Sequence, residues 1–170
     1  DIDALELVPD GVIRYVYPLK GNEAALGFDI LADPTRNKEA FKAIEKKELF
    51  FSGPFQLKQG GMGIVGRLPV FRNKKFWGFS AVIIKLSTLL RAAGIDSTDQ
   101  NGNYFQLSKI NPDTKKEEFF ILHDKEPVHD YSISVDVPNG EWKLSVQPSA
   151  GYKKLADIFI LALLGFLISV

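Results

Sequence analysis

Between Phe50 and Phe79 the chain reads FFSGPFQLKQGGMGIVGRLPVFRNKKFWGF, and few folds accommodate such a run. It reads as three short apolar strands, Leu49–Leu57, Met62–Phe71 and Phe76–Lys85, joined by two turns. Gly60-Gly61 makes the first turn, because glycine reaches positive φ without a Cβ clash. Arg72 to Lys75 make the second. A contiguous antiparallel meander this apolar belongs at the centre of a core.

The chain has 170 residues, enough for one sizeable core, or one core and a small satellite. Its 21 basic and 21 acidic residues balance, which gives no electrostatic case for nucleic acid. Cysteine is absent, so disulfides, a thiol nucleophile and a zinc–thiolate site are excluded.

Both ends point beyond a simple globule. Leu155 to Val170 read LADIFILALLGFLISV, almost wholly apolar after Asp157. About 20 such residues cross a bilayer as a helix. We expect the start of a transmembrane helix over 151–170, the alternative being a buried core helix. At the other end, Ile2, Leu5 and the Leu7-Val8 pair have helical spacing up to Pro9, so residues 1–11 are expected to end a stalk helix.

Val12 to Leu19 alternate as a strand, and Glu23 to Leu26 suit a short helical turn. Asp33-Pro34 is a helix start, with Asp33 as cap and Phe41, Ile44 and Ala40 on the buried face, running to Lys47. Ser87 is the expected cap of a second short helix, with Leu90 and Ala93 inward and Gly94 ending it. Asp96 to Asn103 are polar and turn-rich, a plausible boundary. Four short strands follow, Tyr104–Ile110, Glu118–Leu122, Tyr131–Val137 and Glu141–Gln147, with Asn139-Gly140 as a hairpin turn. This grouping argues an α+β fold with antiparallel sheet.

Several blocks occur together and in order. They are Tyr15-Val16-Tyr17-Pro18, Gly21 to Asp29, Asp33-Pro34-Thr35-Arg36, Ser52-Gly53-Pro54-Phe55, Gln59 to Gly63, Arg67 to Phe71 and Phe76 to Phe79. Over roughly residues 8–95 the pattern resembles the CHASE domain, the extracytoplasmic (periplasmic) sensor module of membrane-bound histidine kinases and nucleotide cyclases, plant cytokinin receptors included. The resemblance implies a membrane-distal, PAS-like ligand-binding subdomain over 12–95, an antiparallel sheet with flanking helices. It implies a smaller membrane-proximal β subdomain over 96–150. Truncated stalk and transmembrane helices would flank the two.

The residues that can carry chemistry are few. No HExxH, GxSxG or Walker sequence is present. His123, at a strand end beside Asp124, and His129, in a loop beside Asp130, read as surface turn residues. We therefore expect no enzyme activity, no metal and no cofactor in this chain; any kinase or cyclase would lie elsewhere in the full-length protein. Asp29 lies among apolar neighbours, where a carboxylate is costly unless satisfied. It can accept from backbone N–H groups in a turn, or from a ligand. The resemblance favours the ligand, since cytokinin-binding members place an aspartate there against the adenine ring. Ser52, where those members carry a small hydroxyl residue, can reach a ligand or bond backbone. Leu57 can wall a pocket or fill a core. Arg67 is a charge inside an apolar strand: it can snorkel, pair with Asp29 or Glu23, or bind an anionic ligand in a fork. Tyr15 and Tyr17 can flank a flat ligand or pack in a core or dimer. Gln59 and Gly61 lie in a loop whose bare backbone can approach a ligand.

These readings lead to an expected function. The chain is a sensor that binds a small molecule, purine-like or otherwise small and polar, and signals across the membrane as a homodimer to a kinase or cyclase. The competing reading is a structural or protein-binding ectodomain that dimerises without a ligand.

Overall fold

In a computed structural model, residues 2–95, 103–111, 114–120 and 131–147 are described. The expected transmembrane segment over 151–170, most of the polar boundary and both histidines lie outside them. Among the described residues no helix is long and apolar enough to cross a membrane.

The meander is the centre of the first sheet. Strands β3 (Phe50–Gln56), β4 (Met62–Arg72) and β5 (Lys75–Lys85) are antiparallel neighbours. Strands β1 (Ala4–Pro9) and β2 (Tyr15–Tyr17) complete a five-stranded sheet of order β2-β1-β5-β4-β3. Where β5 meets β1, a Cβ on Gly78 would stand 2.3 Å from the Val8 carbonyl oxygen, so only glycine fits.

The N-terminal segment corrects the expectation of a helix end over 1–11. Ala4, Glu6 and Val8 are buried while Leu5 and Leu7 face outward. This is the period of two of a strand, and β5 supplies its hydrogen-bond partners. The inward set includes a glutamate, so apolar residues alone do not display the alternation. The strand expected over Val12–Leu19 is cut to Tyr15–Tyr17, because Ile13 pairs instead with the Gly27–Phe28 backbone.

One face of the sheet is covered by the 11–36 segment, including a 3₁₀ turn at Glu23–Ala25, and by helix α1 (Asn37–Lys46). Ala40 and Ala43 let α1 sit close to the sheet, while Phe41 points outward, against expectation. Asp33 does not cap α1. Its Oδ1 accepts from the Thr35 amide at 2.9 Å in a local turn, and the helix begins only at Asn37. Helix α2 (Leu86–Ala92) likewise contains Ser87 within it, and Ala93 is exposed. Its start is held from across the fold by Asp3, which accepts from the Lys85 amide at 2.7 Å and from the Thr88 hydroxyl at 3.0 Å.

A second antiparallel sheet has the order β7-β6-β9-β8, formed by β6 (Tyr104–Ile110), β7 (Glu117–Phe119), β8 (Tyr131–Val137) and β9 (Gly140–Gln147). It packs on the opposite face of the first sheet, where Ile64, Leu86, Leu107 and Phe120 form a buried cluster. The hairpin between β8 and β9 turns through Pro138-Asn139, one residue earlier than expected, since Val137 and Gly140 are paired. The reason is tertiary. The Asn139 carboxamide accepts from the Phe51 amide at 2.7 Å and donates to the Phe51 carbonyl at 2.9 Å, extending β3 as a strand residue would.

Candidate functional site

On the α1 side of the first sheet, strand register sets Glu6, Ala81 and Arg67 in one row, with Ala81 paired to both. Strands lie about 4.8 Å apart, so the glutamate and arginine Cα atoms are roughly 10 Å apart. The methyl group of Ala81 leaves the space between them open. Glu6 and Arg67 are 4% and 2% exposed, yet among the described residues no ion pair joins them.

Arg67 is the strongest feature. Its Nη1 donates to the Ser52 hydroxyl at 2.7 Å, and its Nε has no acceptor. Burial of a guanidinium is costly, and it pushes the Arg67 pKa down to about 10, opposed by Glu39 and then Glu6. Burial likewise drives the Glu6 carboxyl up to about 7, although Arg67 and Arg36 pull it back. Gln59 contributes a second buried donor without a partner, its Nε2. Buried polar groups are nearly always satisfied, so unpaired donors facing one space need explanation.

These groups line a narrow cavity whose inner space, about 20 Å³, is room for a single water; with its open mouth it spans about 290 Å³, walled by Phe28, Leu57, Val65 and Ile83. Two cations close the mouth. The Arg36 guanidinium lies 5.0 Å from the Phe28 ring centroid and 4.4 Å from that of Phe55, and donates to the Gln56 carbonyl at 2.5 Å. The Lys58 ammonium lies 4.3 Å from the Phe28 centroid. Such cation–π contacts are weak enough at exposed sites to be exchanged for a ligand.

Of the residues singled out from the sequence, Leu57, Gln59 and Arg67 line this cavity, and Ser52 supports Arg67 from behind. Gly61 does not line it; its carbonyl accepts from the Leu57 amide and closes the turn presenting Lys58 and Gln59. Tyr15 and Tyr17 are 65% and 75% exposed and lie on the opposite face, paired with Leu7 and Leu5. Asp29 is not brought there either. Its Oδ1 accepts from the Leu31 and Ala32 amides, both at 3.0 Å, as a turn former does. Arg67 therefore faces Glu6 and Glu39, not Asp29 or Glu23. Glu6, Phe28, Arg36 and Lys58 were missed. The available signal was the alternation Ala4-Leu5-Glu6-Leu7-Val8, which puts a carboxylate on a strand.

A larger groove, about 1180 Å³ with its open solvent, runs between the sheets past Phe51, Pro54, Lys109 and Trp142. Several of its polar groups are already engaged. Lys109 donates to the Gly53 carbonyl at 2.5 Å and lies 3.7 Å from Glu39 and 3.5 Å from Glu118.

The family model described as the CHASE domain matches residues 10–120. The chain belongs to the CHASE domain family. This makes it a sensor domain, not a catalytic one. No curated protein matches it at a significant level. Solved structures similar to this CHASE domain are ligand-binding domains of receptors. The ligand-binding domain of the Pseudomonas aeruginosa PAO1 amino acid chemoreceptor PctB, in complex with L-Arg, aligns at a TM-score of 0.62 and 12% identity, covering 92% of this chain and 70% of its own. That of PctC from the same organism, in complex with GABA, aligns at 0.58 and 17%, covering 86% and 73%. An extracellular ligand-binding receptor from Desulfohalobium retbaense DSM5692 aligns at 0.60 and 13%; the match covers 85% of this CHASE domain but 30% of that receptor. At these identities the likeness is one of fold: mostly antiparallel sheets with two helices.

Proposed function

We propose that the chain is an extracytoplasmic sensor that binds a small polar molecule in the cavity bounded by Glu6, Gln59 and Arg67. The observation that carries this is the pair of buried donors, Arg67 Nε and Gln59 Nε2, left without acceptors beside one narrow cleft. A filled apolar core would fit the competing reading of a ligand-free structural ectodomain; buried donors without acceptors do not. The small ligands named for the PctB and PctC domains support the same class of role.

The signal leaves the cavity through β3. Ser52 holds Arg67 on one side of that strand. The neighbouring backbone at Phe51 and Gly53 is held by Asn139 and Lys109 of the second sheet. Occupancy at Arg67 thus biases two arrangements of the sheets, by as much as the ligand prefers one over the other. The membership in a family of receptor sensors supports PAS-like subdomains, a homodimer, anchorage in the membrane by flanking helices and a cytoplasmic kinase or cyclase output.

The test is a thermal-shift screen of the purified chain against purines, amino acids and small carboxylates, since a ligand that binds only the native state raises its melting temperature. A hit whose effect is lost in Arg67→Met, with the variant still folded, supports the reading. A hit of undiminished affinity in that variant contradicts it.

A further inference from the structure

Resting on the site proposed above, we infer that the cavity takes a small zwitterion of the amino-acid type, its carboxylate on Arg67 and Gln59 and its ammonium on Glu6. The unpaired groups are of two opposite kinds, and they are separated. Arg67 gives Nη1 to Ser52, which leaves the side-on edge of the guanidinium, Nε with the second Nη, without an acceptor among the described residues. That edge matches the two oxygens of a carboxylate. Gln59 Nε2 supplies a further donor to the same space. Glu6 is the counterpart: a buried carboxylate with no hydrogen-bond donor among the described residues.

A simple ion pair between Glu6 and Arg67 would satisfy both, but the structure forms none, and the small Ala81 between them leaves that space open. A molecule with one anionic and one cationic end satisfies all three groups together. A carboxylic acid without an amine leaves Glu6 stranded, and an amine without a carboxylate leaves Arg67 and Gln59 stranded. A buried charge left unpaired is the expensive outcome. The remaining wall, Phe28, Leu57 and Ile83, is apolar.

The experiment is isothermal titration calorimetry of the 170-residue chain at pH 8 with the twenty L-amino acids. The best binder is then compared with its deaminated acid and its decarboxylated amine, with adenine and small dicarboxylates as further probes. We expect one or more amino acids to bind, and each single-charge analogue to bind roughly 10- to 100-fold more weakly. Glu6→Gln should weaken the amino acid and leave the deaminated acid unchanged; Arg67→Lys should weaken both acids and leave the amine unchanged. The analogue series on the native chain decides the matter even if a variant fails to fold. An analogue that binds within threefold of the amino acid overturns the inference. Binding of adenine or a dicarboxylate without any amino acid overturns it too, while leaving the sensor reading standing. Absence of binding by every probe removes both.

Discussion

Replacing Glu6 by glutamine should stabilise the domain at alkaline pH and leave it unchanged at acidic pH. Glu6 ionises near 4.5 when exposed to water, and near 7 in the folded chain, because burial in the cavity penalises the charge more than Arg67 and Arg36 relieve it. A carboxyl whose folded pKa is raised contributes stability that is fully present below 4.5 and is lost as pH rises toward 7. Each pKa interval of one is worth about 1.4 kcal/mol, so the loss amounts to ~3 kcal/mol by pH 8. Glutamine keeps the shape and cannot ionise, so Glu6→Gln retains this stability. In a domain of this size the gain is roughly 6–12 °C in melting temperature. Urea unfolding followed by the fluorescence of Trp77 and Trp142, at about pH 4 and about pH 8 and without ligand, measures it. The two proteins should coincide at the lower pH, and the variant should be more stable at the higher. A variant less stable than the native chain at about pH 8 would refute the reasoning, since it would mean that the Glu6 carboxylate is already well paired within the chain.

Other substitutions separate stability from binding. Arg67→Met removes a buried guanidinium whose pKa is held down to about 10, so it should be neutral or stabilising by up to ~3 kcal/mol in unfolding experiments while abolishing ligand binding in calorimetry. Asp29→Ala should cost about 1–2 kcal/mol of stability by freeing the Leu31 and Ala32 amides, and should change ligand affinity less than about threefold, a factor worth only ~0.7 kcal/mol. Asn139→Ala strips both hydrogen bonds from Phe51, so it should cost about 1–3 kcal/mol and raise amide hydrogen exchange in β3 and β8–β9 ahead of β4 and β5.

The parts of the fold legible in the sequence are those where a local pattern and tertiary packing agree. The three meander strands begin and end within a residue or so of their apolar runs, because a central sheet needs those runs buried. The strands of the second sheet were legible from their alternation and from the Asn139-Gly140 turn signal, although β8 is exposed along most of its length. The caps were not. Asp33 and Ser87 are good capping residues, but Asp33 serves a turn of its own, and Asp3, remote in sequence, reaches the start of α2 first. The Asn139-Gly140 signal gave a hairpin, yet its register was decided by Phe51 in the other sheet.

The cavity was half legible for a related reason. Arg67 announces itself as a charge within an apolar strand, whereas Glu6 is hidden in a segment whose leucines face outward. Asp29 has the expected apolar neighbours, but its own backbone answers it before any ligand can. What a carboxylate does at such a place depends on which amides the turn presents, and the residue pattern does not contain that.

A ligand held in this cavity must touch the Arg67 guanidinium. The direct measurement is the side-chain Nε–H signal of Arg67 in a ¹⁵N-labelled chain, titrated with the best binder from the screen. Arg67 Nε is buried and without an acceptor among the described residues, so its signal should move saturably with the calorimetric affinity, together with that of the Gln59 side-chain amide. Saturable shifts confined to the inter-sheet groove, at Lys109, Trp142 and Asn139, with the Arg67 signal unmoved, would contradict the assignment of this cavity as the ligand site.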